Sequence, residues 1–310
     1  MTNVIANSAV LVELNISVWG ASRLDKIASD KVVSDAGAVD NAAQVRKDLL
    51  AGDKTRKAIS DYAAGCRMWH NRMTMPWSDK GSRLLPTSLF LDYKQIANTH
   101  KAEFDARVQT FLAAYPQLRL DAQQRMGTLF DASEYPDVDE VERKFRFVMV
   151  FSPVPDAGHF CVDTTVEGME NALEEMKSSY EGAFDSRLAA ITREPWDRLH
   201  EMLQGMSDKM TEENEPRYRV RNGVKQEIKR PYHESFVSNA IQLCEMLKHL
   251  NITNDPKLDK ARLALESAMF GVDIDAVRES PEVRAEIKAS VDAILAQNEP
   301  EFAKADADFW

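Results

Sequence analysis

The chain has 310 residues, 44% hydrophobic and 29% charged, a composition that buries a sizeable core and excludes a disordered polymer. Its net charge of -11 excludes a uniformly basic coat, so any nucleic-acid site has to be a local patch. Cys66, Cys161 and Cys244 are scattered and odd in number, which argues for a reducing, cytoplasmic setting and against a disulfide framework.

The first twenty residues hold the short apolar run Ala9 to Val12, interrupted by Glu13 and Asn15, so neither a signal peptide nor a membrane span is expected. Val10 to Val18 alternates strictly and predicts a strand with Val10, Val12, Leu14, Ile16 and Val18 on one face. Residues 22–50 read as short helical pieces separated by Ser34, Gly37 and Gly52. Asp53 is placed to cap a helix running to about Arg72, with Ile59, Tyr62, Ala63, Cys66 and Trp69 on one stripe.

The stretch Met73 to Pro86, "MTMPWSDKGSRLLP", reads as a loop that holds an indole. A helix from Thr87 or Ser88 should follow and stop at Pro116, with a shorter one from about Leu118 to Phe130. Then come the acidic turn "DASEYPDVDE", a strand over Phe145–Phe151 and another over His159–Asp163. Met169, Leu173, Met176, Tyr180, Phe184, Leu188 and Ile191 recur at helical spacing, and Pro195 should kink or restart that helix before Trp196 and Leu199 continue the stripe. Asn222-Gly223 between alternating segments predicts a protruding two-stranded ribbon over Arg217–Lys229. Four helices are expected after it, over roughly 232–250, 257–270, 274–279 and 281–296.

The class implied is a helix-dominated α+β fold, with a small antiparallel sheet of about three strands, long helices and the basic hairpin. Residues 1–165 form the mixed part and 166–310 the helical part of one cooperative unit.

Catalytic signatures are missing: there is no phosphate-cradling glycine loop, His-Glu-x-x-His, Cys-x-x-Cys or Gly-x-Ser-x-Gly. The six histidines lie far apart, and the expectation is no metal and no cofactor.

Three regions have the composition of contact sites. Arg67, Arg72, Lys80 and Arg83 surround Trp69 and Trp77, the mixture of cation and flat ring that suits phosphates and stacked bases, unless the indoles simply fill a helix junction. Arg217, Arg219, Arg221, Lys225, Lys229 and Arg230 cluster with Tyr218 on the ribbon, which can track a phosphate backbone or dock on an acidic neighbour, including a second copy. Asp306 and Asp308 precede Phe309 and Trp310, an acidic aromatic segment that resembles the partner-binding tips of single-stranded-DNA-binding proteins or else docks on the core.

Taken with "LVELNISVWGASRL", "MPWSDKGSRLLP", "FSPVPDAGHFCVD" and "HESFVSNAIQLCEMLKHLNITNDPKL", the chain resembles, over about residues 9–298, an uncharacterised bacterial and phage family. Its members are often encoded beside a MoxR-type AAA+ ATPase of the CobS kind and a CobT-like von Willebrand A protein. The resemblance implies an accessory or adaptor role and brings no catalytic residue with it. The expected function is therefore non-catalytic assembly, with itself or with the AAA+ ATPase. The alternative is single-stranded nucleic-acid binding or annealing in phage DNA metabolism.

Overall fold

The computed structural model describes residues 7–78, 81–155, 169–211, 217–221, 224–228 and 232–307, with the backbone alone at 169–173, 211, 217–221, 224–228 and 304–307. Helices dominate, and the class is α+β as expected. The predicted first strand is β1 (Ala9–Ser17), and the strand near Phe145 is β6 (Arg146–Pro153). The expected strand over His159–Asp163 lies outside the described residues.

Two strand pairs replace what the sequence suggested were loop and helix. Residues 22–50 form β2 (Ser22–Asp25), α1 (Lys26–Asp35) and β3 (Val45–Asp48), with β2 antiparallel to β3. The Ser29 hydroxyl ties this excursion together, donating to the Asp25 carbonyl and accepting from the Val45 N–H. The "MTMPWSDKGSRLLP" loop contains β4 (Met75–Pro76) and β5 (Arg83–Pro86), paired with Met75 opposite Leu84 and Pro76 opposite Arg83. Gly81 takes φ 98° in their connection, a conformation that costs little only without a Cβ. The main sheet therefore has four strands rather than three, in the order β4-β5-β1-β6.

The chain divides into two compact units. The smaller comprises Val12–Arg72 and Leu91–Phe151, and the larger Met1–Leu11, Met73–Phe90 and Ser152–Trp310.

In the smaller unit, α2 (Thr55–Met73) begins where the cap was expected: the Asp53 carboxylate accepts from the N–H groups of Thr55 and Arg56. Its buried face, Ile59, Ala63 and Cys66, packs with Phe104, Val108 and Phe111 of α3 (Phe90–Met126). The helix α3 does not stop at Pro116. An internal proline removes a hydrogen bond and crowds the preceding turn, but buried side chains hold the helix on both sides of it, with Leu112 and Tyr115 before and Ala122 after. The Tyr115 hydroxyl also donates to the Pro136 carbonyl at 2.9 Å, fastening the 130–138 segment alongside. A short helix, α4 (Val138–Glu142), follows that segment.

In the larger unit, α5 (Met169–Thr211) likewise runs through Pro195, with Ile191 on one side and Trp196 and Leu199 on the other all buried. Met176, assigned to its apolar stripe, is instead exposed. The ribbon forms as expected, with β7 (Arg217–Arg221) antiparallel to β8 (Val224–Ile228), although Asn222 and Gly223 lie outside the described residues. The remaining helices are α6 (Ser235–Leu250), α7 (Pro256–Met269), α8 (Ile274–Glu279) and α9 (Pro281–Ala307), the last about three turns longer than its apolar pattern suggested. Leu203, Met206, Cys244, Leu247, Leu265 and Val291 form the centre of their shared core.

Candidate functional site

The segment that looked most like a site in sequence turns inward. Trp77 is 5% exposed, packed with Met75, Leu84, Phe184 and Ile191. Phe184 meets its ring edge-on at 5.7 Å between centroids, and the Arg187 guanidinium lies 5.6 Å from the indole centroid. The indole is thus the wedge of a structural corner, built against α5, and offers no open platform for a base.

Of the cations nearby, Arg83 and Arg67 are committed. Arg83 donates from Nε to the Thr74 hydroxyl at 2.7 Å and from its terminal nitrogen to the Thr74 carbonyl, which also accepts from Arg198 at 2.7 Å. Arg67 donates to the Ile16 carbonyl at 2.8 Å in the smaller unit, where the exposed Arg72 also lies. Lys80 is outside the described residues. Trp69, the other indole of the patch, stacks on Tyr93 at 4.6 Å and meets His100 edge-on.

That aromatic cluster is the best place to look for chemistry among buried groups. His70 Nδ1 and the Tyr93 hydroxyl are 2.7 Å apart, and the Tyr62 hydroxyl and His100 Nδ1 are 3.0 Å apart. Burial pushes His100 below the ordinary histidine value and pushes the Cys66 thiol up, which favours neutral, unreactive forms of both. In the larger unit burial pushes the Cys244 thiol up to about 11.

A serine and a lysine also meet there: Ser207 donates to Asp292 at 2.6 Å, and Lys288 lies 3.3 Å from the Ser207 hydroxyl while pairing with Asp292. The Lys288 and Ser207 hydrogen bonds hold the Asp292 carboxyl below its usual range. The Ser207 hydroxyl therefore points its proton at a carboxylate that is itself paired with Lys288, an arrangement that ties two helices together. Among the described residues, no group of three or more His, Cys, Asp or Glu side chains is placed to hold a metal, and no helix is long and apolar enough to cross a membrane.

The sequence-derived ribbon residues Arg217, Tyr218, Arg219, Arg221 and Lys225 lie on β7 and β8, and Lys229 and Arg230 fall outside the described residues. Asp306 lies on the last turn of α9, and Asp308, Phe309 and Trp310 are outside the described residues.

A surface that sequence reading passed over is the groove in the smaller unit between α3 and the 130–138 segment. It has a volume of about 520 Å³, lined by Tyr115, Pro116, Arg119, Leu120, Gln123, Phe130, Ala132, Pro136, Asp137 and Val138. That is the size of an ordinary ligand or side-chain pocket. Leu120 is 59% exposed in it, and Val138, which also lines it, is exposed too. Two of the polar groups within it are already oriented: burial pushes the Tyr115 hydroxyl up to about 12 while it donates to Pro136, and Arg119 donates to the Ala132 carbonyl. The groove contains no nucleophile paired with a base, so its chemistry is that of contact. The signal in the sequence was a valine between carboxylates in "PDVDE" and a leucine after Pro116, but only their meeting across the turn makes a surface.

No family model, curated protein or solved structure matches this chain.

Proposed function

We propose that this protein acts by non-catalytic protein–protein assembly, as an accessory protein of phage or mobile-element type. The observation that carries the reading is the groove beside α3, where large apolar side chains stand in solvent around a floor of Tyr115, Phe130 and two prolines. Exposed apolar clusters of this kind mark contact surfaces more often than they mark chemistry. The buried thiols of Cys66 and Cys244, with raised values, and the hydrogen-bonded Ser207, Lys288 and Asp292 network agree with it.

The family resemblance supplies a candidate partner, a MoxR-type AAA+ ATPase, beside a second copy of the chain itself, and a cytoplasmic setting in a bacterial host goes with it. Co-purification with the neighbouring ATPase tests that version, and a stable complex with an altered ATPase rate is the expected result. Finding no complex and no rate change would remove the ATPase as partner.

A second reading, single-stranded nucleic-acid binding, draws on the register of the ribbon. Residues facing one another across β7 and β8 share a face, so Arg217, Arg219 and Arg221 line up on one side. This reading predicts salt-sensitive retention of an oligonucleotide that weakens in the double variant Arg219→Ala, Arg221→Ala. An absence of any gel shift at low salt would end it.

A further inference from the structure

We propose that the groove beside α3 takes an extended, proline-bearing peptide segment with a basic residue at one end, presented by the protein with which this chain assembles, an inference that rests on the assembly reading above. The hydrogen-bonding state of the groove's polar groups sets this chemistry. On the 130–138 wall the backbone acceptors are already taken. The Ala132 carbonyl accepts from Arg119 and from the Tyr135 N–H, the Pro136 carbonyl from the Tyr115 hydroxyl, and the Asp137 carbonyl from the Val141 N–H.

Pro136 has no N–H to offer, and the other wall is the helix α3, whose backbone does not pair with a strand. An incoming chain therefore finds no free row of N–H and C=O groups to join as a strand, and a peptide N–H buried here meets acceptors that already hold a donor. Proline has no N–H, so it enters without that cost, and it holds a segment extended before binding. Pro116, Leu120 and Phe130 line the groove and give its ring an apolar surface to lie on.

Donors and a charge remain for the segment to use. Arg107 and Arg125 on α3 each hold a carboxylate one turn earlier, Glu103 and Asp121, but the equivalent position before Arg119 is Tyr115. Arg119 accordingly gives its bond to Ala132 and, among the described residues, has no ion pair. Gln123, one turn further on the same face, is exposed and bonds to no described residue. Both can donate to the carbonyls that a polyproline-II segment leaves unbonded. Asp137 is exposed, makes no capping hydrogen bond and pairs with no described residue. A lysine or arginine at the end of the segment supplies its partner, and the chain's net charge of -11 attracts such a segment at long range.

The test is fluorescence anisotropy of short labelled peptides titrated with the full chain. One peptide alternates proline with apolar residues and ends in arginine, a second has alanine for every proline, and a third has glutamate for the arginine. The first should bind the wild type, and each change should weaken binding about tenfold or more. Leu120→Glu should weaken it as much, and Asp137→Lys should invert the preference so that the glutamate peptide binds better. Melting curves establish that both variants fold.

No binding of the first peptide at concentrations up to about 1 mM would overturn the proposal. So would equal binding of the alanine form, which would assign the groove to a partner not held extended. Binding unchanged in both Leu120→Glu and Asp137→Lys would place the peptide elsewhere on the molecule, and would equally overturn it. Failure of the assembly reading itself looks different, since it requires neither self-association nor a complex with the ATPase.

Discussion

The Met73–Pro86 segment and the groove beside α3 exchange the roles that their sequences suggest. The first has two prolines, a glycine, an indole and flanking cations, the composition of a binding loop, yet its indole is buried and Arg83 is spent on Thr74. The second reads as an acidic turn after a proline-stopped helix, yet it opens as a cavity with leucine and valine in solvent. Residue type says what a side chain can bind, and the fold decides whether it faces solvent or its own core.

The largest expected effect tests the inward half of that contrast. Trp77→Ala should destabilise the protein by about 3–5 kcal/mol, as removal of a large buried aromatic does, read as a shift in the denaturant midpoint. A change within the range of surface substitutions would mean the indole is exposed in solution and would restore it as a contact candidate. Thr74→Val should follow, costing about 1–3 kcal/mol because the Arg83 Nε–H and the buried polar site lose their hydroxyl partner.

Tyr115→Phe moves to the groove's floor. It removes the bond that fastens Pro136 to α3, and a loss of about 0.5–1.5 kcal/mol is expected, together with faster amide exchange over 130–138. Should that exchange stay unchanged, the segment is held by its apolar contacts alone.

The pH dependence of the smaller unit gives a further comparison. His100 has its value lowered below 6.5 by burial, so the unfolded chain takes up the proton first on acidification. Stability from this group is present above about 6.5 and declines as pH falls through that value toward the folded one. His100→Gln should flatten the decline between neutral and mildly acidic pH, and an unaltered slope would show that the ring is already solvated. The smallest expected effect belongs to the groove's margin: Leu120→Glu should alter stability by no more than about 0.5 kcal/mol, which is what makes it useful for reading contact rather than folding.

Much of the fold was legible because it rests on local signals. Asp53 caps its helix, strict alternation gives β1, and Asn222-Gly223 announces the ribbon. The failures share a cause in long-range packing. Pro116 interrupts a helix only if nothing beyond it is buried, and Ala122 with the Tyr115 anchor supplies that burial from residues that the local pattern does not connect. The β4–β5 pair has too few residues to show alternation, and it forms because Met75, Trp77 and Leu84 have a core of α5 side chains to enter.

The division of the chain follows the same logic. Residues 73–90 join the larger unit although sequence on both sides of them belongs to the smaller, and no composition shift marks the crossing. Of the candidate contact residues, Arg217, Arg219, Arg221 and Lys225 could be placed on a strand pair from sequence because alternation flanks an Asn-Gly turn. The groove was missed because its walls come from a helix and a turn that only tertiary structure sets side by side.

The most direct test of the assembly account is the molar mass of the full chain in solution, compared between wild type and Leu120→Glu at equal concentration. The account predicts a wild-type mass above that of one chain and a Leu120→Glu mass shifted toward the monomer, with both proteins melting alike. Identical masses for the two, at concentrations where the wild type associates, would contradict the claim that the groove is the contact surface.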